Sequence, residues 1–204
     1  MNQVEKKHPD PERANTRRKQ VLDAAESCFS RRGFHGASMA EISKAAGMSA
    51  GHIYNYFDSK DAIIAAFVMQ NMERVSNLMQ DLAQQEDPLQ AVIDNAYEHV
   101  LESMDPKTWV MPLEIFSEAS RNPAIATMLR CADRRSRQLF LDIVRAARIK
   151  RGLPAGDEML EGRLNALISM YQGLPLRVLH NPDVNTGPMV AGFRIAAAAL
   201  LLGE

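Results

Sequence analysis

Apolar residues recur at helical spacing along nearly the whole chain, and the strict alternation that marks a half-buried strand is almost absent. Val21, Leu22, Ala25 and Phe29 share one face of a helix expected over 16–32. Ile63, Ile64, Phe67 and Val68 share a face of another, which begins at Lys60 and runs past Met79. Five longer helices are expected over 88–104, 106–120, 123–151, 157–180 and 186–202. The runs "EDP", "MDP" and "RNP" set a polar residue and a proline at three of their starts, where proline's missing N–H is harmless. Pro112 and Pro175 fall inside helical patterns, and each is expected to kink or split its helix. The fold class that follows is all-α.

The 204 residues suffice for one large domain or two small ones. Hydrophobic residues make up 46% and charged residues 24%, so disorder is expected only at the ends, with a flexible tail over 1–15. "MNQVEKKHPDPER" has no apolar core, unlike a signal peptide, and no segment is long enough to span a membrane. Cys28 and Cys131 lie far apart without the close partners of a zinc site. A reduced, cytoplasmic protein with no metal and no cofactor is expected. Charge is uneven: residues 1–60 carry a net +3 and residues 61–204 a net −4. A basic N-terminal part is compatible with nucleic-acid contact.

The segment "GMSAG" over 47–51 admits two chemistries. It matches G-x-S-x-G, the turn that displays a nucleophilic serine in α/β-hydrolases, and it matches a glycine turn between two short helices. A nucleophile elbow needs a strand just before it, but "MAEISKAA" is a run of helix formers. Ser38-x-x-Glu41 ahead of it is a capping box, so a short helix starts at Met39 and stops at Gly47. Ser49 then caps a second, over 50–56, and Ser59 caps the helix from Lys60. Ile42, Ala46, Met48 and Ile53 supply the apolar contacts that lock the two short helices, Ser43 is small at their approach, and Gly47 permits positive φ. The second helix exposes small residues at its start, and its first amides suit phosphate. The hydrolase reading through Ser49 loses its structural context, and no enzyme is expected.

The run from Arg17 to about Phe67, with "GFHGASMAEISKAAGMSAGHIYNYFDSKDAI" at its centre, strongly resembles the N-terminal domain of the tetracycline-repressor (TetR) family. "PLEIFSEASRNPAI" and "RRSRQLF" are more distantly similar to its BetI-like and AcrR-like branch. Ser43 departs conservatively from the alanine frequent there. The resemblance implies a three-helix helix-turn-helix DNA-binding domain over 16–60, then a larger helical ligand-binding and dimerisation domain over 61–204. It implies DNA contacts at Ser38, Met39, Ser49, Ala50, Gly51, His52, Tyr54, Tyr56 and Lys60. Chemistry supports several of these: a lysine at a helix start is a phosphate clamp, a tyrosine hydroxyl can donate to a phosphate, and His52 can meet a base edge. Tyr54 and Tyr56 also read as packing aromatics, and His52 as a solvated histidine. Lys6, Lys7, Arg13, Arg17, Arg18 and Lys19 read either as a minor-groove arm or as a solvated charge run.

"FRIAAAALLL" is apolar around nearly its whole circumference, and such a helix must be covered on all sides. A homodimer through the last two helices answers that need, and with it a near-palindromic double-stranded operator. The middle helices would enclose a small-molecule effector of unknown identity, lined by Tyr97, Trp109, Met111, Phe116, Met128 and Met170. Glu114 and Glu118, at i and i+4, share a face. That face is either turned inward to favour a cationic ligand or solvated. A ligand-responsive DNA-binding regulator, most often a repressor, is the function implied. A DNA-bound protein of the same fold answering to a protein partner is the alternative.

Overall fold

The computed structural model describes residues 11–203, and among them there are ten α-helices and no strand. They are α1 (Pro11–Gly36), α2 (Met39–Ala45), α3 (Ala50–Ile53), α4 (Lys60–Ala83), α5 (Pro88–Asp94), α6 (Ala96–Met104), α7 (Pro106–Ala119), α8 (Pro123–Lys150), α9 (Asp157–His180) and α10 (Thr186–Leu202). No helix among the described residues is long and apolar enough to cross a membrane.

Side-chain caps set most starts. Ser38 accepts from the Glu41 amide while the Glu41 carboxylate accepts from the Ser38 amide at 3.0 Å, the reciprocal pair the sequence predicts. Ser59 caps α4 through the Ala62 amide. Asp87, Asp105 and Asn122 cap α5, α7 and α8, each just ahead of a proline. Helix α1 begins at Pro11, five residues before the expected Thr16. Arg13, Arg17, Arg18 and Lys19 therefore lie on a helix rather than on a free arm, and Lys6 and Lys7 fall outside the described residues.

Gly33, at φ 70°, interrupts α1 one turn before its end, a conformation L side chains rarely adopt. The segment 88–104 is two helices meeting at Asn95 rather than one. Neither Pro112 nor Pro175 splits its helix. Each removes one backbone bond, and burial of Met111 and Ile115 around the first and Leu174 beside the second holds the helix across the gap.

Three apolar clusters fill the interior. The first joins α1–α4, with Phe29, Ile42, Ile53, Ile63 and Ile64 fully buried, and extends to Met111, Ile115, Ile125 and Ala132 on α7 and α8. Packing is thus continuous across residue 60. The second gathers Leu89, Leu141, Val144, Leu160, Leu164, Leu167 and Leu201. The third is small: Val100, Leu174 and Val190, with Met104, Tyr171, Met189 and Phe193 against them. Arg148 is completely buried, its guanidinium donating to the carbonyls of Pro154 (2.7 Å), Leu201 (2.6 Å) and Gly203 (2.8 Å). It joins the ends of α8 and α10, and burial, with Arg163 nearby, holds its pKa below the usual arginine value.

Candidate nucleic-acid interface

Helices α2 and α3 meet across Gly47, at φ 62°, whose left-handed turn reverses the chain. Ile42, Ala46 and Ile53 are buried beneath it and Met48 packs alongside. Ser43 is buried too, its hydroxyl donating to the Ala40 carbonyl at 2.9 Å, so the small side chain satisfies itself within α2. Ser49, Ala50, Gly51, His52, Tyr54 and Asn55 are exposed on one ridge, with Tyr56 half-buried at its end.

That ridge departs from the expected geometry in two ways. Helix α3 is a single turn, Ala50–Ile53, and residues 54–56 form a turn instead of continuing it. So short a helix sums few peptide dipoles, so the amide-based phosphate reading loses weight. Ser49 occupies the N-cap position but its hydroxyl makes no capping bond; being exposed, it is open to a partner.

The His52 ring is held within the ridge. Its Nδ1 lies 3.3 Å from Asn55 Nδ2, and its Nε2 lies 3.3 Å from the Tyr56 hydroxyl. A neutral imidazole donates at one of these contacts and accepts at the other. His52 thus orients Tyr56 and Asn55 as much as it presents itself.

Lys60 is more occupied than a solvated clamp. Its Nζ donates to the carbonyls of Phe34 (2.6 Å) and Ala37 (2.8 Å) and lies 4.5 Å from the Phe34 ring centroid. The ammonium ties α4 to the end of α1, and one of its three N–H groups remains. Ser38 spends its hydroxyl on Glu41, and Met39 packs against the core. The Glu41 carboxyl is held below its usual value, first by the Ser38 amide, and it also pairs with Arg32.

Two side chains take positioning roles not expected from the sequence, Arg18 in place of an arm or a solvated charge. Arg18 donates to the Tyr56 carbonyl at 2.8 Å and lies 4.3 Å over the Phe57 ring, so α1 steadies the end of the ridge. Gln20 donates to the Ala46 carbonyl at 2.6 Å, bracing the turn. Both sit among helical basic and polar residues, and nothing local marks them; their acceptors lie 26 to 38 residues away.

The eight candidate effector-binding residues do not converge. Met111 and Met128 belong to the core shared with α1–α4. Tyr97 and Phe116 stand half-exposed, and Met170 is partly buried on α9. Glu114 and Glu118 share a face, as expected, and it is turned to the end of α1, where they meet Phe34 and His35; Glu118 is buried there and Glu114 partly so. Trp109 is buried, its indole N–H donating to the Met104 carbonyl at 3.2 Å. Met104 in turn packs in the third cluster, where the Tyr171 hydroxyl is buried without a hydrogen-bond partner. The Tyr171 ring lies edge-on to His99 at 6.4 Å and 5.2 Å from Phe193, and burial raises its phenol pKa.

On α9 and α10, Leu176 and Leu179 are 49% and 54% exposed and Ile195 is 74% exposed. Gly162, Ala166 and Ser169 on α9, and Ala191, Gly192 and Ala199 on α10, are exposed as well. A Cβ added at Gly162, Gly173 or Gly192 would meet nothing. These two helices carry an open, apolar, small-residue surface.

Residues 21–67 match the family described as bacterial regulatory proteins, tetR family. Residues 85–202 match the BetI-type transcriptional repressor C-terminal family. The chain is 34% identical over 123 residues to the HTH-type transcriptional regulator UidR of Escherichia coli, which covers 57% of this chain and 59% of that protein. The matched segment therefore spans under two thirds of that relative's length. Identity to the HTH-type transcriptional regulator BetI of Cronobacter sakazakii is 30% over 168 residues, 79% of this chain and 78% of that one. Among solved structures, Salmonella enterica GusR is similar at a TM-score of 0.69 and 26% identity, covering 92% of this chain and 96% of that chain.

Proposed function

The chain belongs to the tetR family of bacterial regulatory proteins, and from that premise we propose that it is a homodimeric, ligand-responsive transcriptional regulator, a repressor released from its operator by a small molecule. The observation that carries the proposal is the exposed ridge Ser49–Tyr56 on a locked helix-turn-helix. Its residues are small at the start, where backbone must approach the duplex, and polar or aromatic beyond. In this reading Ala50 and Gly51 allow close approach to the major groove, and His52, Asn55 and Tyr54 face base edges. Ser49, Tyr56 and the third proton of Lys60 meet phosphate. Met39 and Ser38 border the contact.

The open faces of α9 and α10 are assigned to a second copy of the chain. Two reading heads then repeat about one helical turn apart, roughly 34–36 Å, and require a near-palindromic site. The effector site is assigned to the neighbourhood of Tyr171, whose unpartnered hydroxyl asks for a hydrogen-bonding guest. The flexible Met104 and Met189 can re-pack around one, and Trp109 reports on it through Met104. Ser49 serves recognition and not catalysis: an elbow needs a strand leading into it, and α2 stands in that place.

Selection from a random duplex library, followed by binding measured across salt concentrations, tests this. A near-palindromic consensus and a log–log salt slope of several units are expected. Failure to enrich any sequence at low salt defeats the reading. A second reading, in which a protein partner replaces the small molecule, draws on the scatter of the eight candidate effector residues. It predicts that no small molecule shifts Trp109 emission and releases DNA together.

A further inference from the structure

Four helix ends meet at the "GFHG" turn. Gly33 leaves the helical path, and the next amide, Phe34 N–H, donates to Glu114 Oε2 of α7 at 3.0 Å. A Cβ on Gly33 would stand 3.4 Å from that same oxygen, an ordinary contact, so it is the positive φ rather than space that calls for glycine here. One turn along α7, the Glu118 side chain is only 5% exposed. Its Oε1 accepts from Asn122 Nδ2 at 3.1 Å. The same Asn122 caps α8 and reaches Asp61 in the first turn of α4 at 3.3 Å. Lys60, beside Asp61, holds the Phe34 and Ala37 carbonyls.

The two carboxylates are unequally served. Glu114 Oε2 has a well-aimed amide. Glu118 Oε2 is buried with no hydrogen bond directed at it, although His35 Nε2 comes to 2.9 Å and Arg121 Nε to 3.8 Å. Arg121 Nε is too distant to donate, and the His35 contact brings the ring nitrogen close without a hydrogen bond to this oxygen. A buried carboxylate oxygen in that condition favours any small displacement that aims a donor at it. Helix α7 carries both carboxylates and also Trp109, so whatever moves α7 moves the seat of the reading head.

We propose that Glu114 and Glu118 are positioning residues that seat the helix-turn-helix on α7: Glu114 fixes the head in the present orientation, and the half-served Glu118 makes a shifted seat accessible. Bond exchange between the two carboxylates is the step by which a displacement of α7 re-aims α1 and the ridge it braces through Arg18 and Gln20. The inference rests on the regulator reading for its meaning, but the seat itself is measurable without DNA or effector.

The test uses the full chain with Cys131→Ser, the buried Cys28 retained, and nitroxides on Lys44→Cys in α2 and Gln138→Cys in α8, both exposed. Pulsed electron resonance reads the distance between them within one chain, with the partner subunit unlabelled and in excess. The parent is expected to give one narrow distribution, Glu114→Ala a broader or two-peaked one, and Glu114→Gln, which keeps an oxygen for the Phe34 amide, the parent's. Hydrogen exchange at the Phe34 amide, read on each folded variant, is expected to quicken at least tenfold in Glu114→Ala and not in Glu114→Gln. An unchanged distribution in Glu114→Ala overturns the proposal, as does a Gln variant as broad as the Ala one. Should Glu114→Ala fail to fold, Glu118→Leu, which removes the half-served oxygen together with the acceptor for Asn122, is expected to keep the parent's single narrow distribution, and a broadened or two-peaked one there overturns it. On DNA selected by the parent, Glu114→Ala is expected to bind about tenfold more weakly and Glu114→Gln within twofold; equal loss in both again overturns the proposal. Failure of the parent to select any DNA defeats the regulator reading alone, and the distance and exchange results then decide the seat by themselves.

Discussion

The two ends of the molecule treat apolar surface in opposite ways. Around α1–α4, Phe29, Phe34, Ile42, Ile53, Phe57, Ile63 and Ile64 turn inward, and α7 and α8 add Met111, Ile115, Ile125 and Ala132 to seal the cluster. On α9 and α10, Leu160, Leu164, Leu167, Ala197 and Leu201 are buried, yet Leu176, Leu179 and Ile195 remain open on the other side. The first region is complete as one chain and exposes polar, small and aromatic residues on the ridge proposed to meet DNA. The second is finished on one face only. A closed core fixes the shape of a reading head, whereas an open apolar face asks for a partner.

That contrast breaks most easily at Ile53. Ile53→Ala leaves a cavity in the closed cluster and is expected to lower the unfolding free energy by about 2–5 kcal/mol, with the oligomeric state by ultracentrifugation unchanged. A loss below roughly 1 kcal/mol would show that the head is not tightly packed. At the other end, Ile195→Arg places a charge on the open face. It should weaken self-association by about 2 kcal/mol, roughly 30-fold, with little change in chain stability. If Ile195→Arg stayed as dimeric as the parent, the partner face would lie elsewhere.

Lys60→Met sharpens the picture of the head itself. Losing two charge-assisted bonds to carbonyls should lower stability by about 1–3 kcal/mol. Losing the third proton's phosphate contact should lower the salt slope of DNA binding by about 1. A stability loss with an unchanged slope would make the residue purely a brace. Acid acts on the same region through Glu41, whose carboxyl is held below the usual range by the Ser38 amide and by Arg32. A depressed folded-state value means its stabilisation is complete at neutral pH and disappears as pH falls through that value. Glu41→Gln should therefore flatten the acid limb of the stability profile. Ser49→Ala has the smallest effect. With no capping bond to lose, stability should stay within about 0.5 kcal/mol, and only DNA affinity should fall.

Legibility followed the range of the interaction. Ser38 with Glu41, Ser59, and the Asp or Asn before Pro88, Pro106 and Pro123 are local devices, and the helix starts they mark stand where the sequence places them. Gly47 takes the positive φ expected of it. The break at Asn95 had no glycine or proline to announce it. Past the end of α3 at Ile53, the Tyr56 carbonyl accepts from Arg18, 38 residues earlier, a contact no local pattern announces. Period reveals which residues share a helix face but not what that face meets. Glu114 and Glu118 were correctly paired, but their neighbour, the turn at Phe34, lies 80 residues earlier. The same limit separates the eight candidate effector residues from the buried Tyr171 hydroxyl, since being unpartnered is a property of three dimensions alone.

The continuity of the first apolar cluster from α1–α4 into α7 and α8 bears on how far such regulators are modular. A chimera that joins this DNA-reading segment to another relative's sensing half at residue 60 or 84 would leave Ile64, Val68 and their neighbours facing foreign side chains. Grafts that carry Met111, Ile115, Ile125 and Ala132 along with the head would keep the junction intact, together with the carboxylates at 114 and 118. The natural unit of exchange is then a discontinuous set of residues rather than a stretch of chain, and a cut made by sequence position alone divides a single packed body.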